Sequence, residues 1–103
     1  MSSQIEEKIE NLIKENTIIL FMKGNKDAPQ CGFSAQVVHI LNEYGISFSA
    51  ENVLEDWDLR EGIKSYSNWP TIPQLYVRGK FIGGCDIIME LHRNKELEHI
   101  LKT

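Results

Sequence analysis

A chain of 103 residues, 42% hydrophobic and 25% charged, is enough for one globular domain and leaves no room for a second. A net charge of −4 argues against a nucleic-acid partner, which needs a basic face. No apolar run approaches the ~18 residues of a membrane span.

The elements follow in chain order. Ser3-Gln4-Ile5-Glu6 has the form of a capping box, with Ser3 as N-cap and Glu6 reaching back. Ile5, Ile9, Leu12 and Ile13 recur at helical spacing, which predicts a helix to about Asn16. Residues 17–22 are continuously apolar and β-branched, as in a strand buried on both faces in mid-sheet with parallel neighbours. Residues 24–30 read as a polar loop closed by Pro29. A second helix is expected over 32–44, with Ala35, Val38 and Leu41 inward and Gly45 as its stop. Ile46, Phe48 and Ala50 alternate with Ser47 and Ser49 as a second strand. Asp56 caps a third helix that carries Trp57, Arg60, Ile63 and Lys64 and fades near Ser67. Trp69-Pro70-Thr71-Ile72-Pro73 cannot be helical, because proline lacks a donor and biases its predecessor to extended geometry. Leu75 to Val77, a turn at Arg78-Gly79-Lys80, and Phe81-Ile82 form a hairpin. Gly83-Gly84-Cys85-Asp86 leads into a helix with Ile87, Ile88 and Leu91, and Leu97, Ile100 and Leu101 end on a short one. The order α-β-α-β-α-β-β-α predicts an α/β fold, a four-stranded mixed sheet flanked by helices on both faces.

Cys31 and Cys85 are the only cysteines, with no zinc spacing and no signal-like N-terminus, so free thiols in a reducing, cytoplasmic compartment are expected. Cys31 follows a central strand and opens a helix, where ligands of open α/β sheets bind. Unpaired N–H groups and the positive helix end favour a thiolate there, and Lys23 can add charge. A thiolate is both the nucleophile of disulfide exchange and a ligand for iron. The alternative is a buried structural cysteine; the polar neighbours Gln30, Gly32 and Ser34 count against it.

Lys23, Cys31-Gly32-Phe33-Ser34, Trp69-Pro70-Thr71-Ile72-Pro73 and Gly83-Gly84-Cys85-Asp86 together resemble the monothiol glutaredoxins, in the right order across nearly the whole chain. The resemblance implies a thioredoxin-like fold, one glutaredoxin domain over residues 1–103, and a glutathione site. In that site Lys23 and Arg60 hold glutathione carboxylates. The backbone of Ile72 pairs with the cysteinyl part, Cys85 and Asp86 take the glutamyl end, and Phe33 of the motif joins the contacts. Pro73 is implied to be cis, which exposes the backbone before it for strand-like pairing. Without the resemblance, Lys23 and Arg60 read equally as solvated side chains, Pro73 as an ordinary trans proline, and Asp86 as an N-cap. His39, His92 and His99 read as surface helix residues, and Trp57 and Trp69 as packing residues.

Ser34 stands where a dithiol enzyme has its resolving cysteine, and a hydroxyl cannot form a disulfide. The resemblance also implies that a long loop before Cys31 marks the cluster-carrying class. The expected function is therefore a carrier: a 2Fe-2S cluster with Cys31 as metal ligand, bridging a homodimer or a heterodimer with a BolA-family partner, and passed to apo iron–sulfur proteins. Four thiolates are needed. Two Cys31 and two glutathiones supply them; two Cys31 and two Cys85 are the rival count. The alternative function is glutathione-dependent thiol–disulfide exchange with Cys31 as the catalytic residue, and at most weak enzyme activity is expected.

Overall fold

The computed structural model describes residues 3–102, and at its centre lies strand β1, Ile18–Met22, with every side chain buried. Successive strand residues point to opposite faces. Ile18, Leu20 and Met22 therefore enter one apolar cluster, while Ile19 and Phe21 enter a second. Each fully buried side chain of this size contributes roughly 1.5–3 kcal/mol.

The loop after β1 is more ordered than its polar sequence suggests. β2 (Gly24–Asn25) and β3 (Ala28–Pro29) pair antiparallel as a minimal ribbon. The remaining strands are β4 (Ser49–Asn52), β5 (Gln74–Val77) and β6 (Lys80–Gly83), and the main sheet has the order β4-β1-β5-β6. β1 runs parallel to β4 but antiparallel to β5, so only one of its two neighbours is parallel, which corrects the expectation for that strand. The β5–β6 hairpin turns at Arg78-Gly79, with Arg78 in the left-handed region.

Helices α1 (Ser3–Glu15) and α3 (Trp57–Ser67) pack on the Ile19 and Phe21 face through Ile9, Ile13, Leu59 and Ile63. Helices α2 (Gly32–Glu43), α4 (Cys85–Arg93) and α5 (Leu97–Lys102) cover the other face through Val37, Leu41, Ile88, Leu97 and Leu101. The mixed sheet with helices on both faces is the expected α/β, thioredoxin-like arrangement.

Four local expectations are corrected. Ser3 already belongs to α1, so it is not the N-cap of a capping box; the residue before it lies outside the described residues. Ala35 is exposed and Ser34 is buried in its place, because the Ser34 hydroxyl turns in to meet a backbone N–H of the preceding loop. The second strand begins only at Ser49, because its ladder with β1 runs from Ile19↔Ser49 to Met22↔Asn52; Ile46 packs beside the core outside any strand. Trp57 is 66% exposed and packs on no core, and its ring instead meets the Arg60 guanidinium. Asp56 caps α3 as expected, accepting the Leu59 N–H at 3.1 Å.

Candidate functional site

The carboxyl end of β1 delivers Lys23, and the ribbon β2–β3 returns the chain to Cys31, the N-cap of α2. Gly24, at φ +92, lies so close to the backbone of Gln30 and Ala28 that a Cβ there would overlap it. Cys31 is only partly buried. Its sulfur accepts first the Ser34 N–H and also the Phe33 N–H, and the Lys23 ammonium lies near; together they hold the thiol below the ordinary cysteine range against the opposing pull of desolvation. A thiol with this environment ionises more readily than an ordinary one.

A cavity of about 450 Å³ opens beside that sulfur. It gathers all the residues singled out from the sequence: Lys23, Cys31 and Phe33 on one side, Arg60 from α3, Ile72 from the proline loop, and Cys85 with Asp86 from the start of α4. The Ile72–Pro73 peptide bond is cis, as the resemblance implies. Gly84 is the N-cap of α4, so Asp86 lies within its first turn and is not the cap. Phe33 is 60% exposed at the cavity mouth.

Cys85 lines the same cavity but differs from Cys31 in burial and in the direction its thiol is pushed. It is buried, its sulfur contacts Gln36 Oε1 at 3.6 Å and Met89 Sδ at 3.7 Å, and desolvation, with Asp86 beside it, pushes its thiol up. It lines the cavity as a thiol that ionises less readily than an ordinary one.

Charge in the cavity opposes the charge of the chain. Lys23, Arg60 and Lys64 face it against the single carboxylate Asp86, although the whole chain carries −4. Arg60 Nε and Trp69 Nε1, both from cavity-lining residues, are buried without a hydrogen-bond partner. Native structures seldom leave such donors unmet, so this wall suits a ligand rich in oxygen acceptors.

Sequence reasoning missed several residues that shape this site. Lys64 and Thr71 line the cavity beside the expected set, as does Trp69, which does more than pack. Gln74 is fully buried and donates from Nε2 to the Trp69 and Thr71 carbonyls, both at 3.2 Å, so it holds the proline loop in shape. Its signal in the sequence was an amide opening an otherwise apolar strand. His39 is exposed as expected, whereas His92 is half-buried and hydrogen-bonds Tyr44 Oη through Nδ1.

The glutaredoxin family model matches residues 18–82. The chain is 57% identical over 94 residues to a probable monothiol glutaredoxin 2 of Rickettsia typhi, covering 91% of this chain and 85% of that one. It is 52% identical over 103 residues to an uncharacterized monothiol glutaredoxin of a Synechocystis strain, covering 100% and 96%. Among solved structures, reduced apo GrxS14 of poplar superposes with a TM-score of 0.81 at 46% identity, covering 92% of this chain and 87% of that one. With the family model spanning Cys31 and nearly all of the sheet, and curated relatives matching along almost the full length, the chain belongs to the glutaredoxin family, in its monothiol class.

Proposed function

We propose that this protein binds glutathione in the cavity beside Cys31 and, as a pair of chains, carries a 2Fe-2S cluster for delivery to apo iron–sulfur proteins. Glutathione is an extended tripeptide with a carboxylate at each end, an ammonium at the glutamyl end and a thiol between them. The cavity offers matching groups: cations at Lys23, Arg60 and Lys64, a carboxylate at Asp86, and backbone N–H groups at the start of α4. Two orphaned donors in the wall, Arg60 Nε and Trp69 Nε1, support an acceptor-rich occupant.

The single observation that carries the carrier reading is the supply of thiolates. A cluster of this type needs four. Cys31 alone is both accessible and easily ionised; Cys85 is buried with a raised pKa, which weighs against the count that uses both. Among the described residues, no group of three His, Cys, Asp or Glu side chains converges on a metal site. The fit is therefore to a shared cluster, with one Cys31 and one glutathione thiol from each chain. The exposed Phe33 ring beside Cys31 suits an apolar contact with a second chain, either a copy of this one or a BolA-family partner.

A second reading, glutathione-dependent thiol–disulfide exchange, is favoured by the ease with which Cys31 ionises. Its resolving thiol must come from a second glutathione, because Ser34 cannot serve and Cys85, though it lines the same cavity, is buried. Native mass spectrometry of protein reconstituted anaerobically with iron, sulfide and glutathione tests the carrier reading. Two chains with two glutathiones and one 2Fe-2S unit are expected. A cluster on a single chain, or on two chains without glutathione, overturns it.

A further inference from the structure

The cavity draws its cations Lys23 and Arg60 from two separate segments, the loop after β1 and the start of α3. One side-chain atom touches both segments. Asn52 ends β4, in register with Met22 at the end of β1. Its Oδ1 accepts the Gly24 N–H at 2.9 Å and the Leu54 N–H at 3.0 Å. An amide oxygen has two lone pairs, so the two bonds use its full capacity.

From each of these bonds a short run of backbone leads to a cation. On the loop side, Gly24 directly follows Lys23, and the Lys23 carbonyl accepts the Gln30 N–H at 2.9 Å just before Cys31. On the helix side, Leu54 lies in the single turn Val53–Glu55. The Val53 carbonyl accepts the Asp56 N–H at 3.4 Å, and the Asp56 carbonyl accepts the Arg60 N–H at 3.0 Å. The loop also has a tether that does not reach α3: Lys26 Nζ donates to the Phe48 carbonyl at 2.6 Å and lies 4.5 Å from the centroid of that ring.

We propose that Asn52 is a positioning residue: its one oxygen ties the loop of Lys23 to the turn that leads to Arg60, and so keeps the two cations in register across the cavity. Aspartate at this position would keep the acceptor, whereas alanine would leave both N–H groups without it. The consequence for ligand binding rests on the glutathione reading above; the tie itself belongs to the unliganded chain.

Amide hydrogen exchange on the unliganded chain reads the tie, and calorimetric titration with reduced glutathione reads its consequence. Asn52→Ala is expected to speed exchange at both the Gly24 and Leu54 amides about five- to tenfold, and to weaken glutathione binding roughly three- to tenfold, each as for one lost hydrogen bond. Asn52→Asp should keep both amides slow. Lys26→Ala should leave the Leu54 amide slow, which separates this tie from general loosening of the loop. A residue with only a structural role would lower the melting temperature of Asn52→Ala without changing the affinity of the folded chain. Either amide staying slow in Asn52→Ala, or an unchanged affinity for glutathione there, overturns the proposal, as does a Leu54 amide that Lys26→Ala exposes equally. If Asn52→Ala does not fold, the unchanged chain decides: a Gly24 or Leu54 amide that already exchanges at the unprotected rate overturns it. An unchanged chain that takes up no glutathione removes the proposed function instead, while the exchange rates still decide the tie.

Discussion

The guanidinium of Arg60 lies over the ring of Trp57, 5.2 Å from its centroid, while its Nε is buried without a hydrogen-bond partner. One exposed aromatic ring thus steadies the cation of a residue that lines the cavity. A cation–π contact at an exposed site is worth about 0.5–1 kcal/mol. Trp57→Ala is expected to weaken glutathione binding roughly two- to fivefold, and Trp57→Phe less. Arg60→Ala removes a hydrogen bond to a charged group, worth about 1.5–3 kcal/mol, and should cost more than tenfold. Calorimetric titration with reduced glutathione checks both; an unchanged affinity in Arg60→Ala removes that residue from the site.

The two thiols are displaced in opposite directions. Cys31 is held low chiefly by the Ser34 N–H, and Cys85 is pushed up chiefly by desolvation. At neutral pH, iodoacetamide should therefore label Cys31 well before Cys85, as mass spectrometry of the alkylated peptides can read. The stability consequence has a definite sign. Because Cys31 ionises more readily folded than unfolded, it contributes stability that is fully present above the ordinary thiol pKa and is lost as pH falls through its folded value. Cys31→Ser should flatten that part of the stability–pH curve.

Asp56 serves two partners at once: it caps α3 through the Leu59 N–H and pairs with Lys8 of α1 at 2.8 Å. The Lys8 hydrogen bond is the main cause of its depressed pKa, with the cap next. Its contribution is therefore present above the ordinary carboxylate pKa and fades as pH falls through the depressed value. Asp56→Ala should cost about 1–2 kcal/mol as the loss of a cap. Asp56→Asn keeps an acceptor for the cap and should lose only the exposed ion pair, under ~1 kcal/mol. Chemical denaturation of the two variants side by side distinguishes cap from pair.

Much of this was legible because local pattern and tertiary demand agree. Ile18 to Met22 admit only a fully buried strand, and Asp56 three residues before Leu59 reads as a cap without knowledge of the fold. The expectations that failed lie where a distant partner decides. Ser34 turns inward and Ala35 outward because Lys23, eleven residues earlier, presents a backbone N–H to a hydroxyl. Trp57 stays at the surface because Arg60, one helical turn on, takes its ring face. Gln74 is buried because the proline loop has carbonyls to satisfy, a need that appears only once that loop is folded against β5. The cavity residues came from motif resemblance; spacing alone left Lys23 and Arg60 equally open to a solvated reading.

Gly24→Ala should disturb the site more than its chemistry suggests. At φ +92 with the Ala28 carbonyl 2.7 Å from any added Cβ, the ribbon before Cys31 must shift. A strained backbone position costs roughly 1–3 kcal/mol, and the shift should move the Cys31 alkylation midpoint as well. A variant with unchanged melting temperature and unchanged alkylation would mean that the ribbon does not set the sulfur in place.

The carrier reading stands or falls with the visible absorption spectrum of protein reconstituted anaerobically with iron and sulfide, recorded with and without glutathione. Cluster bands are expected only when glutathione is present, to survive Cys85→Ser and to vanish in Cys31→Ser. Bands that form without glutathione, or that disappear in Cys85→Ser with glutathione supplied, would contradict a cluster held by Cys31 and the tripeptide.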